Sequence, residues 1–302
     1  MKKVGKRPLE MLISSGAFAV FNLGNAAMLE KLEELILYSA ACHDEEGSSQ
    51  VNLFSNSIET IKRNLESVSM QGFDNYEHII IDGHSIDGTR NFIKNYNGHK
   101  IIFLDEEEKG IYQAINQGIK EANGKYITLL NSDDWLNDSA MKIIAKKVTL
   151  SKKNIHIFIS DVYEESIKIS QVHFMKNFDL PIQKMPFSHG AMIAKKDFLI
   201  SKGMYSKNFK LSSDLDFIHK TKKDDYEYHS DSIHCFSLEG ISSQSYEGLR
   251  ESMEIAINYG KSITLARLFF IKVIFNKFLG KLFGFKNLIK LKRLLRYSSN
   301  WE

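Results

Sequence analysis

The chain has 302 residues, of which 43% are hydrophobic and 25% charged, and these proportions are typical of an ordinary globular protein. A chain of this length buries a substantial core without disulfide bonds, and its cysteines, Cys42 and Cys235, lack the spacing of a metal site. We therefore expect a cytoplasmic protein with reduced thiols, and the net charge of +3 is too small to predict nucleic-acid binding.

The first 50 residues predict a separate, atypical helical segment. Basic residues at 2–7 precede an apolar run at 11–23, but no small-residue cleavage site follows, so we expect no signal peptide. Leucine and isoleucine then recur at three- and four-residue steps between positions 29 and 36, which is the pattern of an amphipathic helix. No apolar run reaches the roughly 18–20 residues that span a bilayer.

Residues 51–247 predict one domain in which strands alternate with helices. Helices are predicted at 58–68, 89–96 and 111–122, and strands at 51–54, 78–81, 101–104, 126–130 and 155–159. Because the strands are short continuous apolar runs, we expect an α/β fold with a mostly parallel, Rossmann-like sheet covered by helices.

Three polar turns follow predicted strands, at residues 82–87, 105–110 and 131–134. Ligands of parallel sheets bind outside the carboxyl ends of the strands, so these turns should line one crevice. The adjacent carboxylates Asp133 and Asp134 repel each other unless a cation compensates, and a hard divalent ion such as Mg²⁺ or Mn²⁺ takes such oxygen ligands. The alternative is an aspartate pair that caps the next helix.

Residues 248–302 predict a helical, basic C-terminal region. From Lys261 onwards there are ten basic residues and one acidic residue, Glu302, whereas the rest of the chain has 30 basic and 36 acidic residues. Within residues 286–296, basic side chains project to one side of a helix and leucines to the other. We expect peripheral association with the inner face of the cell membrane, and the alternative is a solvated helix that packs its leucines on the domain.

Several motifs occur in the same order as in a known family, and they indicate a function. The chain reads Ile-Asp-Gly-His-Ser-Ile-Asp-Gly-Thr at 81–89, Lys-Gly-Ile-Tyr-Gln-Ala-Ile-Asn-Gln-Gly-Ile at 109–119 and Leu-Asn-Ser-Asp-Asp at 130–134. Together with Asn-Ser at 56–57 and Leu-Glu-Ser-Val at 65–68, this pattern resembles the family 2 glycosyltransferases of the GT-A fold, especially bacterial polysaccharide enzymes.

The resemblance implies transfer of a sugar from a nucleotide-sugar donor, for which UDP is the expected nucleotide. Asp82 matches the acid that reads the nucleotide base, with a turn-capping role as the alternative. Asp133 and Asp134 match the metal-and-ribose motif, with Asp134 as the preferred metal ligand. Lys109 is a candidate partner of the donor phosphate or a solvated charge.

Two further crevice residues come from helical spacing. Tyr112 and Asn116 lie one helical turn apart, so both are expected to face the crevice and bind the donor. In contrast, Asp87 looks like a cap for the helix that begins at Thr89.

On the acceptor side, residues 212–217 resemble the segment that carries the general base of the family, and that role falls on Asp214. A base there would deprotonate an acceptor hydroxyl, which attacks opposite the leaving diphosphate and inverts the anomeric carbon. Residues 185–190 resemble a Pro-x-x-His-Gln segment, with Gly190 in place of Gln. His219 and His234 are interpreted as core or surface histidines, with metal ligation as the alternative.

The chain departs from the family pattern where the first strand looks short, at residues 51–54, and its base-binding sequence is missing. Glu108 and Gln113 also replace acids of the family. We therefore keep two hypotheses open: an inverting, metal-dependent enzyme acting on a saccharide or lipid-linked saccharide, or a nucleotide-binding but catalytically impaired homologue. A nucleotidyltransferase is disfavoured, because no Gly-rich phosphate loop follows the first strand.

Overall fold

A computed structural model describes residues 48–54, 58–108, 110–164, 166–176, 178–237 and 246–283 of the chain. The helix predicted near residues 29–36, the amphipathic stretch at 286–296 and Lys109 lie outside these ranges.

The described part of the chain forms nine strands and eight α-helices. The strands are β1 Ser48–Phe54, β2 Tyr76–Asp82, β3 Ile101–Asp105, β4 Tyr126–Leu129, β5 Trp135–Leu136, β6 Ile155–Glu164, β7 Ile167–Val172, β8 Met192–Lys195 and β9 Tyr226–Ser237. The helices are α1 Ile61–Ser69, α2 Thr89–Lys94, α3 Ile111–Glu121, α4 Ala140–Thr149, α5 Lys196–Ser201, α6 Ser213–His219, α7 Tyr246–Asn258 and α8 Ile263–Phe283. Short 3₁₀ turns lie at His189–Ala191 and Lys223–Asp225.

All nine strands belong to one sheet, in the order β3-β2-β1-β4-β8-β6-β9-β5, with β7 paired to β6. Strands β3, β2, β1 and β4 are mutually parallel, as predicted. The second half is mixed, because β8 runs antiparallel to both β4 and β6. The physical reason is connectivity: β7 follows β6 as a hairpin, and no crossover helix is described between β7 and β8. The α/β class is thus confirmed, and the expectation of a mostly parallel sheet holds for its first half.

The first strand is longer than the sequence predicted. Strand β1 begins at Ser48, inside the segment predicted as a separate helical prelude, and it pairs with β2 over seven residues. Its other neighbour, β4, pairs with it over three residues. The prediction of a short strand was wrong, because its polar first residues carry no apolar signal and are held by backbone pairing.

The helices bury the faces that their periodicity predicts. In α1 the buried apolar residues are Ile61, Leu65 and Val68, and in β2 the run 79–81 is fully buried. Helix α2 begins at Thr89 with Gly88 as its N-cap residue. Asp87 lies one position before the N-cap, and its carboxylate accepts the backbone N–H of Thr89 over 3.0 Å. Such apolar faces account for most of the stability of a short helix.

The C-terminal helices pack differently from each other. Helix α7 contacts the loop before α6, where the buried Glu251 accepts hydrogen bonds from the backbone N–H groups of Lys210 and Leu211, over 2.9 and 2.8 Å. Helix α8 leaves large apolar side chains exposed. Among the described residues, no helix is both long enough and apolar enough to cross a bilayer.

Candidate functional site

The crevice edge begins where β2 and β3 end. Asp82 and Asp105 are paired in register there, and Arg90 bridges their carboxylates. The Arg90 guanidinium lies 2.5 Å from Asp82, which also accepts the backbone N–H of Ser85 over 3.2 Å. The predicted base-reading acid is therefore fully buried and already holds an ion pair and a turn.

The turn at residues 131–134 follows β4 and is held from below by α1. The buried amide of Asn64 donates to the carbonyl oxygens of Asn131 and Asp134, over 2.7 and 3.0 Å. Arg63 donates to the carbonyl of Asp133 over 3.3 Å, and its guanidinium lies on the Trp135 ring. These bonds use the carbonyls of the turn, so the backbone of the two acids is fixed independently of any ligand.

Only one oxygen of the Asp134 carboxylate accepts a hydrogen bond from the described residues. One oxygen accepts the backbone N–H of Ser237 over 3.0 Å, and the other lies 3.3 Å from Nε2 of His234. Neither this second oxygen nor Nε2 has a hydrogen-bond partner among the described residues, although both are buried. The opposite ring nitrogen, Nδ1, lies 2.9 Å from the Ser160 hydroxyl, which fixes the imidazole. A buried oxygen and a buried nitrogen left without partners at this separation fit a divalent cation.

Sequence reasoning kept metal ligation by His234 only as the alternative to a core or surface histidine, and a further signal for it lay in Gly190. A Cβ atom at position 190 would lie 2.5 Å from Nε2 of His234, so the imidazole fills the space that a larger side chain would need. The glycine that replaces a family glutamine is thus matched by a histidine about forty residues later in the sequence.

Asp214 is the second buried carboxylate with an unpaired oxygen. Its Oδ1 accepts the Tyr112 hydroxyl over 3.0 Å and the Leu215 backbone N–H over 2.8 Å. Oδ2 is buried and has no partner in the part of the chain that the structure describes. Burial, with a smaller contribution from the charge of Glu251, raises the pKa of Asp214 to about 6. The group is thus an ionised, incompletely solvated base at neutral pH.

The helix that carries Tyr112 reaches Asp214 through an aromatic cluster. Tyr112 stacks on Tyr205 at a centroid distance of 5.5 Å, and the Tyr205 hydroxyl lies 2.6 Å from Nε2 of His189. Burial lowers the pKa of His189 to about 3, so the imidazole is neutral. Asn116 pairs both ends of its amide with the Tyr205 backbone, over 2.7 and 3.0 Å. Asn116 therefore holds the cluster together, and its contact with the donor stays a prediction.

Other candidate residues have structural contacts. His219 uses both ring nitrogens, on the Leu215 carbonyl and the Ile182 N–H, so its interpretation as a core histidine is confirmed. Asp216 contacts Lys220 and accepts the Tyr259 hydroxyl.

The two half-satisfied carboxylates are linked through neighbouring residues. His189 belongs to the cluster that holds Asp214, and Gly190 packs on the histidine beside Asp134. Asp133, the other predicted acid, is nearly buried beside Asp134 in the same turn.

Comparison with known proteins agrees with this arrangement. The family described as Glycosyl transferase family 2 matches residues 53–208, which is more than half of the chain. The chain therefore belongs to glycosyl transferase family 2.

Two curated relatives come from bacteria. The UDP-Glc:alpha-D-GlcNAc-diphosphoundecaprenol beta-1,3-glucosyltransferase WfaP of Escherichia coli is 31% identical over 153 residues, which cover 50% of this chain and 47% of that protein. The putative teichuronic acid biosynthesis glycosyltransferase TuaG of Bacillus subtilis is 34% identical over 92 residues, which cover 29% and 36%. The chain thus spans less than half the length of these relatives.

Among solved structures, TarS 1-349 of S. aureus in complex with UDP-GlcNAc superposes with a TM-score of 0.55 at 17% identity. The match covers 75% of this chain and 71% of that one. The likeness confirms a GT-A-like α/β fold.

The first prediction concerns the Asn64 clamp. Asn64→Asp places carboxylate oxygens against two carbonyl oxygens, and we expect it to lower the free energy of unfolding by about 3 kcal/mol or more. Asn64→Ala, which only removes the donor, should cost about 1–3 kcal/mol. Urea unfolding measures both, with the exposed Asn91→Ala as control. Equal stability of all three variants would contradict the clamp.

The second prediction concerns the raised pKa of Asp214. The folded pKa of about 6 lies above the ordinary value near 3.8, so the folded state gains stability from the protonated acid at low pH and loses it as pH rises through 6. Asp214→Asn removes this dependence. The free energy of unfolding of this variant should exceed that of wild type by an amount that grows to about 2–3 kcal/mol between pH 4 and pH 8.

Urea unfolding across this pH range measures the difference, and the exposed Asp224→Asn is the control. A difference in free energy of unfolding between Asp214→Asn and wild type that is the same at every pH would contradict the raised pKa of Asp214.

Proposed function

We propose that this chain transfers a sugar from a nucleotide-sugar donor to a hydroxyl group of a saccharide or lipid-linked saccharide, with inversion of the anomeric carbon. The observation that carries the proposal is the pair of buried carboxylates, Asp134 and Asp214, each with one oxygen left without a partner among the described residues. Burying such an oxygen is unfavourable unless a ligand completes it. The unpaired oxygen of Asp134 suits a cation beside a diphosphate, and that of Asp214 suits the proton of an attacking hydroxyl.

On the donor side, Asp134 and His234 would hold a divalent ion, with Asp133 as a neighbouring carboxylate. A nitrogen ligand favours Mn²⁺ over Mg²⁺, because Mg²⁺ prefers oxygen ligands throughout. When bound, the ion supplies Lewis-acid neutralisation of the diphosphate leaving group. Lys109 would contact the donor phosphates, and Asp82 with Arg90 would lie against the nucleotide base.

On the acceptor side, Asp214 acts as the general base. Its Oδ1 is held by Tyr112 and the Leu215 amide, so Oδ2 is the atom that accepts the proton of the acceptor hydroxyl. The oxygen of that hydroxyl attacks the anomeric carbon from the face opposite the diphosphate, which leaves with the electron pair of the broken bond. Because one displacement occurs, the configuration at that carbon inverts.

The relatives favour particular substrates. WfaP is named for UDP-glucose and a diphosphoundecaprenol acceptor, and the TarS complex contains UDP-GlcNAc. We therefore propose a UDP-sugar as donor and a lipid-diphosphate saccharide of bacterial polysaccharide biosynthesis as acceptor.

A lipid-linked acceptor agrees with the surface of α8. Its exposed large apolar side chains, each 53–59% exposed, are Ile263, Leu265, Leu268, Ile271 and Phe275. Basic residues accompany them on the helix and continue in the sequence beyond it. Exposed apolar side chains can enter the membrane interface while lysine and arginine contact anionic headgroups, so we propose peripheral association with the inner face of the cell membrane.

Transfer is tested with a panel of nucleotide sugars, Mn²⁺ and a lipid-diphosphate saccharide acceptor. We expect Asp134→Asn and Asp214→Asn to lower kcat at least about 10²-fold, because each removes a group that acts in the reaction. In wild type, kcat/KM should fall about tenfold per pH unit below pH 6, where the base is protonated.

Exposed Asp224→Asn is the control and should behave as wild type. Unchanged turnover in both active-site variants would contradict the mechanism. Binding of nucleotide diphosphate without turnover on any donor would instead favour a catalytically impaired homologue.

Membrane association is tested by sedimentation with vesicles of phosphatidylglycerol or phosphatidylcholine. We expect binding to the anionic vesicles that weakens with salt and is lost in Leu268→Glu/Ile271→Glu. Ile167→Glu, an exposed position on β7, is the matched control. Equal binding of the helix variant and the control would contradict the proposal.

A further inference from the structure

A second group of metal-ligating side chains lies where β6 and β9 begin, away from the crevice. Strand β9 has three residues, 229–231, opposite the single residue 158 of β6, so it bulges there. His229 follows Glu227 by two residues, and its ring approaches His156, which pairs in register with Glu227. The register partners of Glu227 and His234 on β6 are His156 and Ser160, four residues apart, which is roughly 13 Å at ~3.3 Å per residue. The group is therefore separate from the Asp134 site.

Three potential ligand atoms converge at this bulge. Nδ1 of His156 lies 3.0 Å from Nε2 of His229 and 3.8 Å from a carboxylate oxygen of Glu227. All three ligand atoms lie within 4.8 Å of one another. In a tetrahedral zinc site with bonds of 2.0–2.1 Å, ligand atoms are about 3.4 Å apart. The two distances from His156, 3.0 and 3.8 Å, lie within about 0.4 Å of that spacing on either side.

The two imidazoles are held in place before any ion binds. His229 stacks between His156 and Phe158, at centroid distances of 5.3 and 4.5 Å, and Tyr126 packs edge-on against His156. Both imidazoles are buried, so these ring contacts hold them in one arrangement. Imidazole nitrogens held in this way suit a transition-metal ion.

We propose that His156, His229 and Glu227 form a structural binding site for Zn²⁺ or a similar late transition-metal ion. The ion would link β9 to β6 at the end of the sheet opposite the crevice. Two imidazoles and one carboxylate suit Zn²⁺ in ligand type, and water can complete the coordination. The exposed carboxylate gives the ion a path from solvent.

The chain contains its own control for this inference. His78, which is buried, and His99, which is partly buried, form another pair, with ring nitrogens 2.6 Å apart and stacked rings. Among the described residues, no carboxylate joins that pair within metal-binding distance. If two adjacent histidines were enough, both pairs would bind metal equally.

The test is a Co²⁺ titration of protein freed of metal with a chelator, followed by visible absorption and then by competition with Zn²⁺. The titration uses a parent protein that carries Asp134→Asn, which removes a ligand of the proposed crevice ion, so that absorption reports on the group at His156, His229 and Glu227. This parent should show ligand-field absorption that Zn²⁺ abolishes. The affinity should fall at least tenfold when Glu227→Gln is added, and the absorption should be lost when His229→Gln is added. Addition of His99→Gln should keep it. Glu227 is partly exposed, so its variant tests the site even if His229→Gln fails to fold.

Absorption that survives in the parent with Glu227→Gln or His229→Gln would overturn the site. A band that is present in wild type and absent from the Asp134→Asn parent would place the ion in the crevice and would also overturn it. Because the crevice ligand is removed and sugar transfer is not a readout, the outcome is independent of the proposed function.

Discussion

A carboxylate removed from water needs donors, a counter-ion or a proton, and the crevice satisfies this need differently at each buried aspartate. Asp82 receives a guanidinium from Arg90 and a backbone N–H. Asp134 and Asp214 each receive donors on one oxygen, and the other is left to an imidazole or to nothing among the described residues. The oxygens without hydrogen-bond partners are thus available to a ligand, while the remaining hydrogen bonds keep the backbone in place.

The surrounding fold holds these partly paired carboxylates in place, and their burial lowers its stability. Asn64 and Arg63 hold the carbonyls of the acidic turn from α1, and Glu251 orders the loop before α6 while its charge adds to the raised pKa of Asp214. Residues outside the crevice therefore set both the position and the protonation of residues within it. Such strain at an active centre, offset by a well-packed core, is common in enzymes.

The sequence predicted what depends on local pattern and failed where contacts are distant. Apolar runs such as residues 79–81 and the aspartate before the helix at Thr89 are local signals, and the structure shows the run buried and the Asp87 carboxylate bound to the Thr89 N–H. Position 234 is about 100 residues from Asp134, so no spacing rule joins them, and a core or surface position was preferred for His234 over metal ligation. Asn116 lies on the helical face that spacing predicts, but its amide pairs with Tyr205, 89 residues later. The polar start of β1 was missed because backbone pairing, and not side-chain periodicity, defines it.

A crystal structure with a UDP-sugar and Mn²⁺, using anomalous scattering to locate the ion, tests the central claim most directly. We predict an Mn²⁺ peak bound by Oδ2 of Asp134 and Nε2 of His234, with the diphosphate on the ion and the sugar carbon facing Oδ2 of Asp214. An ion and diphosphate bound elsewhere, with His234 still against an unliganded Asp134, would contradict it.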